Sequence, residues 1–512
     1  MIHEGILNGA ALLSEMTAAM RQRRYEDSMV AFVKRYASET PRKLCIADPD
    51  ESMNYLEFWQ RIREKAAALK ARGVSPGDRV LARARQRGDF LALHFATHLL
   101  GAVFIPVSRD MPQEGFSSLE AQLHAGWVLE DSSLPHAAAW EPACLPSPAD
   151  IATILYTTGT TGRSKGISLT HQAEVAVAQN VYYGTAMEPD TVEIIPMPIS
   201  HSYGLRHVFG LLLGGCSAVL CDGVAMTDDF FTLMDRYHVN AASLTPASVN
   251  VLRCLSGERL GDYAGELRYL QLGTAGVDAV MKDDLRRLLP RSRLYQYYSS
   301  TEAGCACIRN FQHLPGEHGS SDTELRRVGL PAVNAHFEIV DDHFCPIQSG
   351  SRHWGRIACL GPMNMSGYDG DPELTRRTLV GGYVISGDIG FLDEQGYLCF
   401  VGRADDIINY GGFKVAPQEV EEAAMACGML LECACCGETD PVAGQIPVLY
   451  VVPRPGVTPD TAQILSSIGE RLEAYKQPRR VVFLNALPRN ALGKVQRNRC
   501  REAVEEEMND KI

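Results

Sequence analysis

Apolar and polar positions along this chain switch repeatedly between a helical and a strand-like period. From Tyr55 to Arg72, Leu56, Ile62, Ala66 and Leu69 lie near helical spacing, which predicts an amphipathic helix. Pro76-Gly77-Asp78 marks a turn, and Arg79-Val80-Leu81-Ala82 reads as a strand leaving it. Phe90 to Leu99 follows as helix and Ala102-Val103-Phe104-Ile105-Pro106 as strand. The rhythm returns between residues 190 and 300, with strands over Glu193–Pro196, Ala218–Cys221 and Ala241–Leu244 and helices over Leu205–Leu213 and Phe230–His238. Such alternation predicts an α/β fold: mainly parallel, doubly wound sheets with helices on both faces.

From residue 325 to 402 the pattern breaks into short strand-like runs, His336–Val340, Gly355–Cys359 and Gly396–Val401, cut by Gly, Pro and Asp. A small β-barrel or sheet is expected there. The polar stretch Gly402-Arg403-Ala404-Asp405-Asp406 then precedes a last, smaller α+β unit. One of its helices starts near Pro417, with Glu419, Glu421 and Glu422 placed where the helix dipole favours acids. A second is expected from Thr461 to Tyr475, with Ile464, Ile468 and Leu472 on one face. A boundary near residue 404 divides the chain into 1–403 and 404–512.

The 512 residues exceed what one hydrophobic core organises, in keeping with more than one domain. With 49 Lys and Arg against 62 Asp and Glu the net charge is −13, and no basic block occurs. This argues against a nucleic-acid or anionic-membrane partner. The opening MIHEGILNGAALL lacks a basic n-region and carries Glu4, unlike a secretory signal. The apolar stretch Leu211–Cys221 is too short to span a bilayer. A cytoplasmic location is expected, with the fifteen cysteines as free thiols. Cys427, Cys433, Cys435 and Cys436 lack paired metal-ligand spacing, and Leu430–Cys436 reads as a buried strand in which thiols serve as small apolar groups.

The densest local chemistry follows the apolar run Ile151–Tyr156: Thr157, Thr158, Gly159, Thr160, Thr161, Gly162, Arg163, Ser164, Lys165 and Gly166. Glycines let backbone N–H groups turn toward an anion, hydroxyls add donors, and Lys165 adds charge, so the segment reads as a phosphate cradle. Neither a Walker A loop nor a dinucleotide fingerprint can be laid over it.

This run resembles the phosphate loop of the adenylate-forming superfamily, which includes acyl- and aryl-CoA ligases, peptide-synthetase adenylation domains and beetle luciferases. The resemblance extends in order along the chain: Tyr298-Ser299-Ser300-Thr301-Glu302 to Tyr-Gly-x-Thr-Glu, Ser386-Gly387-Asp388 to Ser/Thr-Gly-Asp, Gly402–Asp406 to the Gly-Arg-x-Asp-Asp hinge, Gly411-Gly412-Phe413-Lys414-Val415 and Pro417–Glu421 to the loop and helix after it, and Pro488–Lys494 to the terminal Pro-x-x-x-x-Gly-Lys. It implies a large N-terminal domain of two doubly wound subdomains plus a small β-barrel, and a small mobile C-terminal domain. The implied activity is ATP-dependent conversion of a carboxylic acid to its acyl-adenylate, then transfer to the thiol of coenzyme A. The alternative acceptor is the phosphopantetheine arm of a carrier protein.

By that resemblance Thr158–Gly162 and Lys165 hold the β- and γ-phosphates, Thr301 meets the α-phosphate, and Glu302 holds Mg2+. Tyr298 stacks on adenine beside Gly273, Thr274, Ala275 and Gly276, and Ser299 and Ser300 line the nucleotide. Asp388 accepts from the ribose hydroxyls, Arg403 reaches ribose or phosphate, and Lys494 is the catalytic lysine bridging carboxylate and α-phosphate. Asp405 is the hinge, and Gly411, Gly412, Phe413 and Lys414 flank the thiol tunnel. Ser299 departs from the family glycine, so its backbone must stay at negative φ or carry strain.

The acyl pocket is expected to draw on His201, Tyr203, Thr274, Gly276 and Ser300. No acid occurs between Pro196 and Leu213 to pair an amino group, which argues for a medium-sized aliphatic or aromatic acid over an amino acid. Arg206 and His207 are expected on a helix surface; if either faces the pocket instead, it can pair a second substrate carboxylate.

Overall fold

The computed structural model describes residues 7–84, 86–123, 126–130, 134–135, 137–158, 164–312, 326–351, 353–458, 460–489 and 495–503. Parallel strands Leu44–Ala47, Ser217–Leu220, Val192–Ile195, Ala241–Leu244, Tyr269–Leu272 and Arg293–Ser300 lie side by side in that order. The antiparallel strand Gly304–Asn310 follows, and through it the sheet continues into Arg327–Pro331, Leu398–Arg403, Tyr383–Leu392, Gly355–Leu360 and His336–Val340. The expected β unit is thus joined to the main sheet by strand pairing. A second sheet holds Arg79–Ala84, Val103–Ser108 and Ile151–Thr158 in parallel, with Ser164–Thr170 folded back on the last as a hairpin. The smaller C-terminal unit has its own sheet, built on the long hairpin Leu430–Asp440 and Gly444–Pro453.

The helix Ser202–Gly214 packs on the main sheet and against the helix His171–Gly184, and is buried at every position from Tyr203 onward. A helix apolar nearly all round must be enclosed, and its glycines allow the enclosure. A Cβ at Gly210 would come within 2.8 Å of Val181, and one at Gly214 within 2.3 Å of Tyr182, both on the neighbouring helix His171–Gly184. Gly215 ends the helix in the left-handed region at φ 69°, with the Tyr36 ring 2.5 Å from where a Cβ would stand.

Two boundaries differ from the sequence pattern. The helix expected to reach Tyr475 spans only Thr461–Gly469, because Gly469 weakens it and Leu472 and Tyr475 pack on the C-terminal core from a turn. The cysteine-rich strand extends to Asp440, with Cys435 fully buried.

One amide fixes the sheet to the central helices. Asn180, fully buried on the helix His171–Gly184, donates to the Cys305 carbonyl at 2.7 Å and accepts from the Asn334 N–H at 2.9 Å. Asn180→Ala strands both backbone groups in the core, and a loss of about 3 kcal/mol is expected at about 1–3 kcal/mol for each orphaned group. Urea unfolding checks this; a loss below about 1 kcal/mol shows that water replaces the amide.

Candidate nucleotide and acyl site

The first ligand-ready feature is directional. The strands ending at Ile195, Leu244, Leu272 and Ser300 run parallel, so the segments that follow emerge on the same edge of the sheet. Open α/β sheets bind ligands at the carboxyl ends of their strands. His201, Gly273–Gly276 and Tyr298–Glu302 all stand at or just beyond these ends.

Arg206 ties two of them together. Its guanidinium donates to the Ser300 carbonyl at 2.8 Å and to the Thr301 carbonyl at 2.9 Å, while only 3% of the residue is exposed. Burial pushes its pKa down, against the opposing pull of Tyr297, Cys305 and Glu302. Ser202, one turn earlier, meets Thr301 hydroxyl to hydroxyl at 3.1 Å. The expectation that Arg206 and His207 lie on a helix surface is therefore corrected: both are buried, because the helix is enclosed on all sides. His207 Nδ1 contacts Ser243 Oγ at 2.8 Å and Glu193 Oε1 at 3.0 Å, and Glu193 also accepts from the Tyr269 hydroxyl at 2.5 Å.

Tyr203 is buried against Gly273, where a Cβ would come within 2.5 Å of its ring, and its hydroxyl donates to the Leu244 carbonyl at 3.2 Å. The next residue, Thr274, adopts φ 73°, a left-handed conformation unfavourable for a β-branched residue. Ala275 and Gly276 are exposed and His201 is half-buried at the start of its helix. Ser299 stays within the extended strand Arg293–Ser300, so the family's glycine is replaced without a positive φ; a bulge between Tyr298 and Ser299 takes up the irregularity. Ser300 Oγ accepts from the Ala303 N–H at 2.9 Å and shapes the turn carrying Thr301 and Glu302.

On one flank Tyr298 donates its hydroxyl to Asp388 Oδ2 at 2.8 Å, and burial together with Asp388 pushes its pKa well up. Asp388 and Arg403 are cross-strand partners, with Arg403 Nε 3.6 Å from Asp388 Oδ1. On the other flank Glu302 Oε1 accepts from the Tyr368 hydroxyl at 3.0 Å, and Lys165 Nζ stands 5.8 Å from the Tyr368 ring centroid. Tyr368 reaches this place because residues 365–369 form a strap: Met365 N–H donates to Glu302 O, Ser366 N–H to Ser168 O, and Asp369 N–H to Gly166 O. Arg79 pins the strap by a two-pronged pair with Asp369 at 3.0 and 2.7 Å. Thr157 lies opposite Lys165 and Thr158 opposite Ser164 in the hairpin leading to the glycine–threonine segment. Gly159, Thr160, Thr161, Gly162 and Lys494 lie outside the described residues.

In the C-terminal unit Asp405 is exposed in the short turn Ala404–Asp406, while its neighbour Asp406 pairs with Arg497 at 3.3 Å. Gly411 and Gly412 take φ 55° and 89° at the tip joining Ile408–Tyr410 to Phe413–Val415. Phe413 packs 4.8 Å from the Tyr475 ring, and Lys414 Nζ lies 5.9 Å from the Trp354 ring of the N-terminal sheet. Sequence reasoning missed Arg206 as a carbonyl clamp and Tyr368 as the link between Lys165 and Glu302. Neither belongs to a periodic or motif pattern, and both act through contacts distant in sequence.

The family model for "AMP-binding enzyme" matches residues 33–129 and 116–369, and that for "AMP-binding enzyme C-terminal domain" matches residues 419–494. The chain belongs to this family, the adenylate-forming ligases. It is similar to "Feruloyl-CoA synthase" of Amycolatopsis sp, 29% identical over 491 residues that cover 91% of this chain and 97% of that one. It is similar also to "4-coumarate--CoA ligase-like 6" of Arabidopsis thaliana, 28% identical over 377 residues, 71% of this chain and 64% of that one. The crystal structure of ATP-bound MatB from Rhodopseudomonas palustris superposes with a TM-score of 0.83 at 26% identity, covering 94% of this chain and 100% of that one. Among the described residues no helix is long and apolar enough to cross a membrane.

The left-handed Thr274 gives a direct test of the backbone geometry. Thr274→Gly removes a conformational cost of about 1–2 kcal/mol and adds about 1 kcal/mol of chain entropy loss. The expected outcome is stability unchanged or raised by up to about 1 kcal/mol, read from the urea midpoint. A clear loss would show that the Thr274 side chain holds the segment.

Proposed function

We propose that this enzyme activates a carboxylic acid with ATP and passes the acyl group to the thiol of coenzyme A. A substrate carboxylate oxygen attacks the α-phosphorus of ATP, pyrophosphate leaves, and the thiol sulfur then attacks the acyl carbonyl and expels AMP. The observation that carries this reading is the convergence on Thr301 and Glu302: Arg206 and Ser202 hold this turn from the central helix, and the Tyr368 strap links it to Lys165.

Bringing a carboxylate to a polyphosphate is opposed by like charge, so the site's task is positioning and charge neutralisation. Thr157–Gly162 and Lys165 are assigned to the departing phosphates, Thr301 to the α-phosphate, and Tyr298 with Gly273–Ala275 to adenine. Asp388 takes the ribose hydroxyls with Arg403 beside it. Glu302 suits Mg2+: a partly buried carboxylate, one of whose oxygens is held in place by Tyr368, supplies the hard donor that this ion takes together with phosphate oxygens and water. The ion shields the phosphate charge. Lys494 is assigned to bridge the two reacting groups, with the boundary near residue 404 and Asp405 as the hinge between adenylation and thiol transfer.

The acid is proposed to be aromatic or of similar bulk. The relatives' names, feruloyl-CoA synthase and 4-coumarate–CoA ligase-like, support this, as does the aromatic wall of Tyr203 and Tyr297 with ring centroids 5.5 Å apart. A panel of acids in a pyrophosphate-release assay tests it, and a preference for amino acids overturns it. Coenzyme A supplied alone should yield acyl-CoA by mass; thioester forming only with a phosphopantetheinylated carrier protein would reassign the acceptor.

Lys494→Ala separates the half-reactions. Adenylate formation is expected to fall at least about 100-fold, the scale for removing a group that stabilises transition-state charge. Thioester formation from supplied acyl-adenylate is expected to persist. Equal loss of both steps, with folding intact by circular dichroism, removes Lys494 from the assigned role.

A further inference from the structure

Away from the nucleotide residues, three histidines and a glutamate meet in the interior of the N-terminal domain. His94 and His98 are four residues apart on the helix Gly88–Leu99, and His171 and Glu174 are three apart on the helix His171–Gly184. Each pair therefore shares one face of its helix. Thr153, on the strand leading to the phosphate loop, projects between them. The five side chains are at most 2% exposed. His94 Nε2 and His98 Nε2 are 3.1 Å apart, and Thr153 Oγ1 lies 3.2 and 3.1 Å from them and 2.6 Å from Glu174 Oε1.

Hydrogen bonding within the protein does not satisfy this cluster. Two imidazole nitrogens 3.1 Å apart cannot both carry a proton toward each other, and Thr153 has one proton to give. Glu174 Oε2 and both ring nitrogens of His171 have no hydrogen-bond partner among the described residues, and His98 has only the Ala152 backbone beside the cluster itself. His98 Nδ1 is 3.8 Å from Glu174 Oε2, and the His171 ring stands edge-on to His98 with 4.9 Å between centroids. The surroundings are otherwise apolar: Phe104 stacks on His94 at 4.5 Å, with Phe95 and Phe209 behind. Asp150, whose carbonyl accepts from the His171 N–H, is the nearby charge. Leaving so many buried polar atoms unpaired is costly, and in folded proteins such a group requires an explanation.

We propose that His94, His98 and Glu174 form a buried transition-metal site of the zinc type, with Thr153 at its fourth position and His171 beside it. In tetrahedral zinc sites, ligand nitrogens at about 2.0–2.1 Å from the metal stand about 3.3–3.4 Å from each other. The His94–His98 separation is within a few tenths of an ångström of that. One donor atom from each of His94, His98 and Glu174 lies within 4.8 Å of the others, so small rotations close the set. Two imidazoles and a carboxylate favour a borderline cation such as zinc over the hard, all-oxygen cations. The ion would clasp both helices to the strand that enters the phosphate loop, bracing the loop without taking part in the reaction.

The test is metal content and spectrum of the full, untagged chain expressed in zinc-supplemented medium. Stoichiometric zinc that survives desalting is expected, with a thermal midpoint that falls on chelation. Glu174→Gln and His98→Gln should each bind zinc at least about 100-fold more weakly, since even outer-shell changes cost 10–100-fold. Cobalt in place of zinc should give the visible bands of a four-coordinate nitrogen–oxygen site. Zinc content in the wild type no higher than in the variants, or cobalt bands dominated by thiolate charge transfer from the cysteines, overturns the proposal. Should the variants not fold, the wild-type zinc content and cobalt spectrum decide alone.

Discussion

The site depends on a buried cation in the central helix. Arg206 holds the carbonyls of Ser300 and Thr301 through its two terminal nitrogens. Removing a guanidinium from water is unfavourable unless donors are met; the carbonyl oxygens meet these two in a fixed fork, while Nε has no partner among the described residues. With the turn held by the fork, the Thr301 hydroxyl meets Ser202 at the start of the same helix, and the Glu302 carboxylate meets Tyr368. The turn between Arg293–Ser300 and Gly304–Asn310 is thus positioned by the core. A flexible turn would have to be ordered by the nucleotide at a cost in affinity.

The remaining elements assemble around that turn through backbone rather than side-chain identity. Residues 365–369 reach the phosphate hairpin by two main-chain hydrogen bonds and the Glu302 carbonyl by a third, and the Arg79–Asp369 pair anchors the crossing. The strap therefore couples the hairpin bearing Lys165 to the turn bearing Glu302, while Tyr298, just before that turn, meets Asp388 directly. Each piece comes from a different stretch of chain. A ligand with a sugar at one end and a polyphosphate at the other matches this spread, because its ends need different chemistry at a fixed separation.

Much of the fold was legible because its strands read as short apolar or alternating runs. Ala241–Leu244, buried throughout, and His336–Val340, partly buried, fall where the pattern puts them. Failures arose where tertiary context overrode local preference. The period through Ile464, Ile468 and Leu472 continues past Gly469, yet Leu472 reaches the core from a turn, so periodicity alone overran the helix. Arg206 and His207 looked like surface residues because charged and polar residues usually are, and only enclosure of their helix by the main sheet and neighbouring helices reverses that. The motif residues Tyr298, Asp388 and Arg403 were legible as a group, whereas Tyr368 carried no local signal at all. The histidine cluster was not read from the sequence: His94 and His98 sit at i and i+4 on an apolar helix, but their partner Glu174 is 76 residues beyond His98 and needed the fold to be found.

The polar groups buried behind Tyr203 explain why that region holds one shape. Glu193, Ser243, His207 and Tyr269 share a carboxylate that no solvent reaches, with His207 edge-on to Tyr203 at 4.8 Å. An apolar core of the same volume would pack as tightly but tolerate sliding of the helix along the sheet. Hydrogen bonds from Ser243 and Tyr269 on two adjacent strands to Glu193 on a third, and on to His207 on the helix, have one register in which all are made. Tyr203 is set by that register and in turn closes on Gly273, where any side chain would displace it. Tyr203 is therefore fixed from behind, whereas Ala275 and Gly276 just beyond it are exposed and free of that register.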